Sequence, residues 1–85
     1  MRLDKFLKLS RLVKRRTLAK EMCAKGRISV DGHVAKAGTK VDVGNEIQIR
    51  YAQKLLTVRV EQLPDTVKKE AADTLYTLLS EQKKI

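Results

Sequence analysis

Residues 23–34 read Cys23-Ala24-Lys25-Gly26-Arg27-Ile28-Ser29-Val30-Asp31-Gly32-His33-Val34, and the period of the chain changes inside this stretch. Before Gly26 the apolar residues Leu18, Ala19, Met22 and Cys23 recur at helical spacing. Gly26 then stands where helices commonly stop, at the position that takes left-handed backbone. From Arg27 to Val30 the pattern alternates with period two, and Asp31-Gly32 follows at once. That dipeptide between alternating residues is the strongest short signal for a hairpin turn. His33-Val34-Ala35-Lys36 is the expected return strand. A helix that stops at a glycine and feeds a hairpin places the chain in the α+β class.

Upstream, Leu3, Phe6, Leu7 and Ser10 share one helical face, and the spacing predicts a first helix over Leu3–Val13. Leu9, Leu12 and Val13 continue a second apolar stripe. Asp4 can cap this helix, because a carboxylate accepts from orphan N–H groups and complements the dipole. The second helix is expected over Arg15–Lys25, with Thr17 as an alternative cap. Its Leu18, Ala19, Met22 and Cys23 are expected to face inward. Arg16 and Lys20, four apart, project from one flank. Lys8, Arg11 and Arg15 would share a flank if the first helix ran that far, with Lys5 close by.

Downstream, Gly38 and Gly44-Asn45 mark turns, with Val41 and Val43 anchoring the segment between them. Glu46–Arg50 and Leu55–Val60 read as strands. Pro64 ends the sheet region, and Asp65 or Thr66 can cap a third helix reaching about Gln82. Val67, Ala71, Leu75, Leu78 and Leu79 give that helix an apolar face. The expected architecture is two N-terminal helices packed on a small, mostly antiparallel sheet, with a C-terminal helix. One domain is expected, with residues 1–62 as the main body and 63–85 as a helical extension of it.

Charge gives the first functional indication. The 85 residues carry a formal net charge of +9. Residues 1–27 hold ten basic residues against two acids, Asp4 and Glu21, a net +8. A small protein with its charge gathered in one segment presents a positive face, an electrostatic footprint for a polyanion. Arginine forks pair bidentately with phosphate. Lys14-Arg15-Arg16 stands at the start of the second helix, where backbone N–H groups also favour anions. With Phe6, Tyr51 and Tyr76 as its aromatics, the chain is poorly equipped to stack unpaired bases. Backbone and shape recognition, the usual mode for structured RNA, fits better.

Other chemistry finds no footing. The single cysteine, Cys23, forms no internal disulfide and is expected in the core. With the lone His33 it makes no zinc site. The carboxylates are scattered, and no nucleophile elbow, Walker loop or dinucleotide fingerprint is present. No enzyme activity, cofactor or metal is expected. No membrane-spanning run or signal segment is visible, which points to a reducing, cytoplasmic setting.

Met1-Arg2-Leu3-Asp4-Lys5-Phe6-Leu7, then Ser10-Arg11, then Gly26-Arg27-Ile28-Ser29-Val30-Asp31-Gly32, resembles the RNA-binding domain named after ribosomal protein S4. Lys36 and Val41-Asp42-Val43-Gly44-Asn45-Glu46-Ile47 continue the pattern, with Asn45 where the family usually has Asp. The whole chain, including Lys14–Glu21 and Gln53-Lys54-Leu55, resembles the small stand-alone members of that family related to heat-shock protein fifteen. That resemblance implies an RNA-binding factor of bacterial ribosome-associated quality control. It implies large ribosomal subunits obstructed by peptidyl-tRNA, contacts to ribosomal RNA and tRNA, and work beside RqcH, which adds alanine tails. It implies Arg2, Asp4 and Arg16 as the important interface residues. Lys5, Lys8, Arg11, Lys14, Arg15, Thr17 and Lys20 complete the expected RNA-binding set. The free protein is expected to be a monomer. A recycling factor of the heat-shock-protein-fifteen type, without a tailing role, is the alternative.

Overall fold

A computed structural model describes residues 1–83. Helix α1 spans Leu3–Leu9 and α2 spans Arg16–Ala24. Strands β1 (Ile28–Val30), β2 (His33–Val34), β3 (Glu46–Arg50), β4 (Lys54–Val60) and β5 (Tyr76–Lys83) form one antiparallel sheet in the order β2-β1-β3-β4-β5. A 3-10 helix, Lys69–Leu75, precedes β5. The α+β architecture with two N-terminal helices on an antiparallel sheet is as expected.

The two layers meet through the apolar positions of each period. Leu3, Phe6 and Leu7 of α1 and Ala19, Met22 and Cys23 of α2 pack on Ile28, Ile47, Ile49, Leu56, Val58 and Val60. In β3 the alternation is clean: Ile47 and Ile49 are buried, while Glu46, Gln48 and Arg50 are exposed. Burying each large apolar side chain contributes about 1.5–3 kcal/mol. A helix stripe and a sheet face together therefore bury what neither could bury alone.

The hairpin forms where Asp31-Gly32 predicts it. Both residues adopt positive φ, 50° and 85°, as a two-residue turn matching the sheet twist requires. Asp31 also latches this turn to the next one. Its Oδ1 accepts from the Glu46 N–H and its Oδ2 from the Asn45 amide, both at 2.8 Å. Asn45 Oδ1 in turn accepts from the Asp42 N–H. Gly26 takes the expected left-handed φ of 72°, and the Arg27 N–H closes the end of α2 on the Met22 carbonyl at 3.0 Å.

Several expectations are corrected. The C-terminal helix to Gln82 is replaced by the short 3-10 helix and β5, which pairs with β4 from Lys54↔Lys83 to Val60↔Tyr76. Ala72 and Leu75 turn inward, but Leu78 and Leu79 remain 50% and 40% exposed. The segment thus widens the sheet instead of covering one face of it. Lys84 and Ile85, the end of the expected 63–85 extension, lie outside the described residues. Helix α1 stops at Leu9 rather than Val13, because Arg11 turns into left-handed backbone at φ 61°. Thr17 lies inside α2, whose N-cap position is Arg15. Leu18 is exposed instead of packed, and of the two valines only Val41 anchors its segment, Val43 being exposed. Strand β2 is confined to His33–Val34, although Ala35 is buried and its N–H still donates to Ile28.

Candidate nucleic-acid interface

The N-terminal residues are held from two directions. Their backbone is pinned to the loop after β2: Leu3 N–H donates to Thr39, Asp4 N–H to Ala37, and Val41 N–H to Met1. An isolated antiparallel bridge joins Arg2 to Lys40. Arg2 is thereby fixed as the extended residue that begins α1. A Cβ at Gly38 would sit 3.6 Å from its guanidinium carbon, so the Arg2 side chain lies against this loop.

Asp4 stands in the first turn of α1 with no accessible surface. Oδ1 accepts from Arg2 Nε at 3.2 Å, from Arg16 Nη2 at 3.3 Å and from the Lys5 N–H at 2.8 Å. Arg16 Nε approaches Oδ2 at 3.1 Å, a charge contact without hydrogen-bond alignment, so Oδ2 is the poorly satisfied oxygen. The expected cap is thus displaced: Arg2 is the N-cap residue, and Asp4 serves the helix end through the Lys5 N–H. Burial acts to raise the Asp4 pKa. The hydrogen bonds from Arg16 and Arg2, the Arg16 charge and the Lys5 N–H outweigh it, and the carboxyl ends below its ordinary value of 3.8. A buried charge persists because it is paired and hydrogen-bonded.

The two arginines remain accessible, their side chains 55% and 44% exposed. Arg2 spends Nε on Asp4, and its two terminal nitrogens have no protein acceptor among the described residues. One buried acid therefore orients two outward guanidiniums, from residues 14 apart in the chain. Such pre-ordering reduces what an anion must immobilise on binding. It suits a phosphate, which takes parallel N–H bonds from an arginine fork.

The other expected residues distribute unevenly. Lys5 is half-buried, Lys8, Thr17 and Lys20 are exposed on the two helices, and Lys14 and Arg15 are exposed on the connection between them. Lys14, Arg15 and Thr17 flank Arg16 in sequence, at the start of α2. Arg11 departs from them. The left-handed turn carries it past the end of α1, where it lines a depression with Leu12, Tyr51, Lys54, Tyr76 and Glu81. The common helical flank of Lys8, Arg11 and Arg15 does not form.

Reading the sequence alone passed over two supporting residues. Lys40 reaches the N-terminus through a bridge that only the folded chain reveals. Tyr51 donates its hydroxyl to the Leu12 carbonyl at 2.6 Å and ties the α1–α2 connection to the sheet. Burial, with a smaller effect from Tyr76, pushes its phenol up to about 12. Cys23 is a core residue, as expected; burial and then the Asp4 charge push its thiol up, away from reactivity.

The family comparison matches the S4 domain over residues 1–47, which takes in α1, α2, the hairpin and the start of β3. The chain belongs to the S4 domain family. Two relatives, from Halalkalibacterium halodurans and Bacillus subtilis, both bear the name RQC P-site tRNA stabilizing factor. The first is 61% identical over 96% of this chain and 93% of its own. The second is 59% identical over 98% of this chain and 96% of its own. Among solved structures, trimeric heat shock protein 15 of Vibrio cholerae superposes on this S4 protein with a TM-score of 0.86. It is 31% identical, with 94% of this chain and 82% of that one covered. The β4 and β5 strands lie beyond the matched S4 region.

Proposed function

We propose that the protein is a non-enzymatic, cytoplasmic RNA-binding factor of bacterial ribosome-associated quality control. In this reading it binds large ribosomal subunits that still carry peptidyl-tRNA. It holds the tRNA against ribosomal RNA while RqcH adds alanine to the nascent chain. Residues 1–62 form the RNA-binding part, with Arg2, Asp4 and Arg16 at its centre. The observation that carries the reading is the pair of exposed arginines aligned by fully buried Asp4, in a chain matching the tRNA-stabilizing relatives over nearly its whole length. Lys5, Lys8, Lys14, Arg15, Thr17 and Lys20 extend the surface along the backbone of the same RNA, and Arg11 meets it from the end of α1.

The mechanism follows from the geometry. Holding a tRNA in place requires no bond to be made or broken, only a rigid, correctly spaced set of cations. Each phosphate neutralised releases counterions, so affinity falls steeply with salt. Arg16→Ala removes one fork and leaves Asp4 to Arg2. Its expected effect is weaker co-sedimentation with obstructed large subunits and a salt slope shallower by about 1. Wild-type binding by this variant would remove the central residue from the reading.

The likeness to heat shock protein 15 favours one alternative, a recycling factor that frees large subunits without tailing. A tagged pull-down from cells separates the two: RqcH and alanine-tailed chains accompany a tailing factor and are absent from a recycling one.

A further inference from the structure

The fold gathers a second set of cations that the charge count conceals. Residues 28–85 are almost neutral, with nine basic and eight acidic residues. Their order along the strands concentrates cations at one end. Lys54 faces Lys83 directly across β4 and β5. Arg50 ends β3 beside Arg27, onto whose carbonyl its N–H donates at 2.9 Å. Asp31 and Glu46 stand at the opposite end of the same strands, latched together, and Glu61 follows β4 at that end. Sheet pairing thus gathers Arg50, Lys54 and Lys83 at one end, while the acids at the other end are partly balanced by Arg59, which faces Glu46 and pairs with Glu61.

At the basic end, Lys25, Arg27, Arg50, Lys54 and Lys83 line an open groove of about 780 Å³, with Tyr51 at its wall. Among the described residues no carboxylate lines it. Glu21 and Glu81 line adjoining depressions, and among the described residues neither lies within ion-pair distance of these cations. Lys54 Nζ lies 5.2 Å from the Tyr51 ring centre, the only compensating contact seen for the set among the described residues. Like charges facing each other across a strand pair are destabilising. An uncompensated cluster of this kind gains most from an external polyanion.

We propose that this groove is a second RNA-binding site, which takes a phosphate backbone separate from the one held by Arg2 and Arg16. The two sites lie at opposite ends of α2, which begins at Arg16 and leads out to Lys25 and Arg27. A nine-residue helix spans about 13 Å, so one molecule can touch two backbones and brace them at a fixed separation. RNA is favoured over an acidic protein because the groove is broad and open and five cations dominate its lining over Tyr51, Ala52 and Leu55.

The test uses amide chemical shifts of the whole protein titrated with a structured RNA hairpin. Wild type, Arg16→Ala and the combined Arg27→Gln/Arg50→Gln/Lys54→Gln variant are compared. The expected result is that amides of Lys25, Arg27, Arg50 and Lys54 move in wild type and still move in Arg16→Ala. In the triple variant the α1 and α2 amides still move, and the salt slope falls by about 2–3. Groove amides that stay still while those around Arg2 and Arg16 shift would overturn the second site and leave the first intact. The reverse pattern would overturn the first and keep the second. Groove shifts with polyglutamate but not with RNA would assign the groove to an acidic protein and refute the proposal. An unfolded triple variant leaves the Arg16→Ala spectra to decide.

Discussion

Asp4 subtracts a charge from the most basic part of the chain, yet its position makes it the organiser of that part. If RNA affinity followed net charge alone, Asp4→Asn would bind more tightly. Because Asp4 aligns Arg2 and Arg16, the expected outcome is weaker binding by Asp4→Asn, measured by anisotropy at fixed salt. Its pKa also couples stability to pH. The folded value lies below 3.8, so its contribution is present above that value and lost as pH falls through the folded pKa. Acid unfolding of wild type should therefore include a component that Asp4→Asn lacks. Asn45 makes a similar point in the hairpin latch. Its amide donates to Asp31, which an aspartate could not do. Asn45→Asp would place two carboxylates against each other and cost roughly 1–2 kcal/mol. Denaturant melts at neutral pH should show that loss.

Among the elements, the α1–α2 connection is the least regular and the most dependent on tertiary contacts. It leaves α1 through Arg11 in left-handed backbone and is tied down by the Tyr51 hydroxyl. Tyr51→Phe keeps the ring and loses this bond, with an expected cost of about 1 kcal/mol in urea unfolding. The helices and hairpin were legible because apolar period, Gly26 and Asp31-Gly32 agree locally. The C-terminal strand was not. Val67, Ala71, Leu75 and Leu78 fall at helical intervals, but Tyr76–Lys83 finds seven partners on β4, and such long-range pairing overrides a local period. The end of α1 was misplaced for the opposite reason. Leu12 and Val13 continue the apolar pattern, yet they reach the core from a loop. Of the site, the clustering of cations was legible, whereas the Lys40 bridge and the basic groove depend on strand register.

For the molecule as a whole, charge opposes association and open sheet edges invite it. A +9 surface repels its own copies, although β2 and β5 leave two sheet edges open to pairing. The free protein is expected to sediment as a monomer at moderate ionic strength. A trimer in analytical ultracentrifugation would show that an edge or apolar contact outweighs the repulsion. No helix among the described residues is long and apolar enough to cross a membrane.

The pinning of the first residues to Thr39, Ala37 and Val41 sets an order of events during synthesis. Arg2 leaves the ribosome before the loop that fixes it, which lies nearly forty residues later. Until that loop emerges, Asp4 can meet its arginines only transiently, and the nascent segment is a loose polycation. The protein's own amino-terminal half thus gains a defined binding surface late, when enough chain has emerged to close the loop after β2 against it.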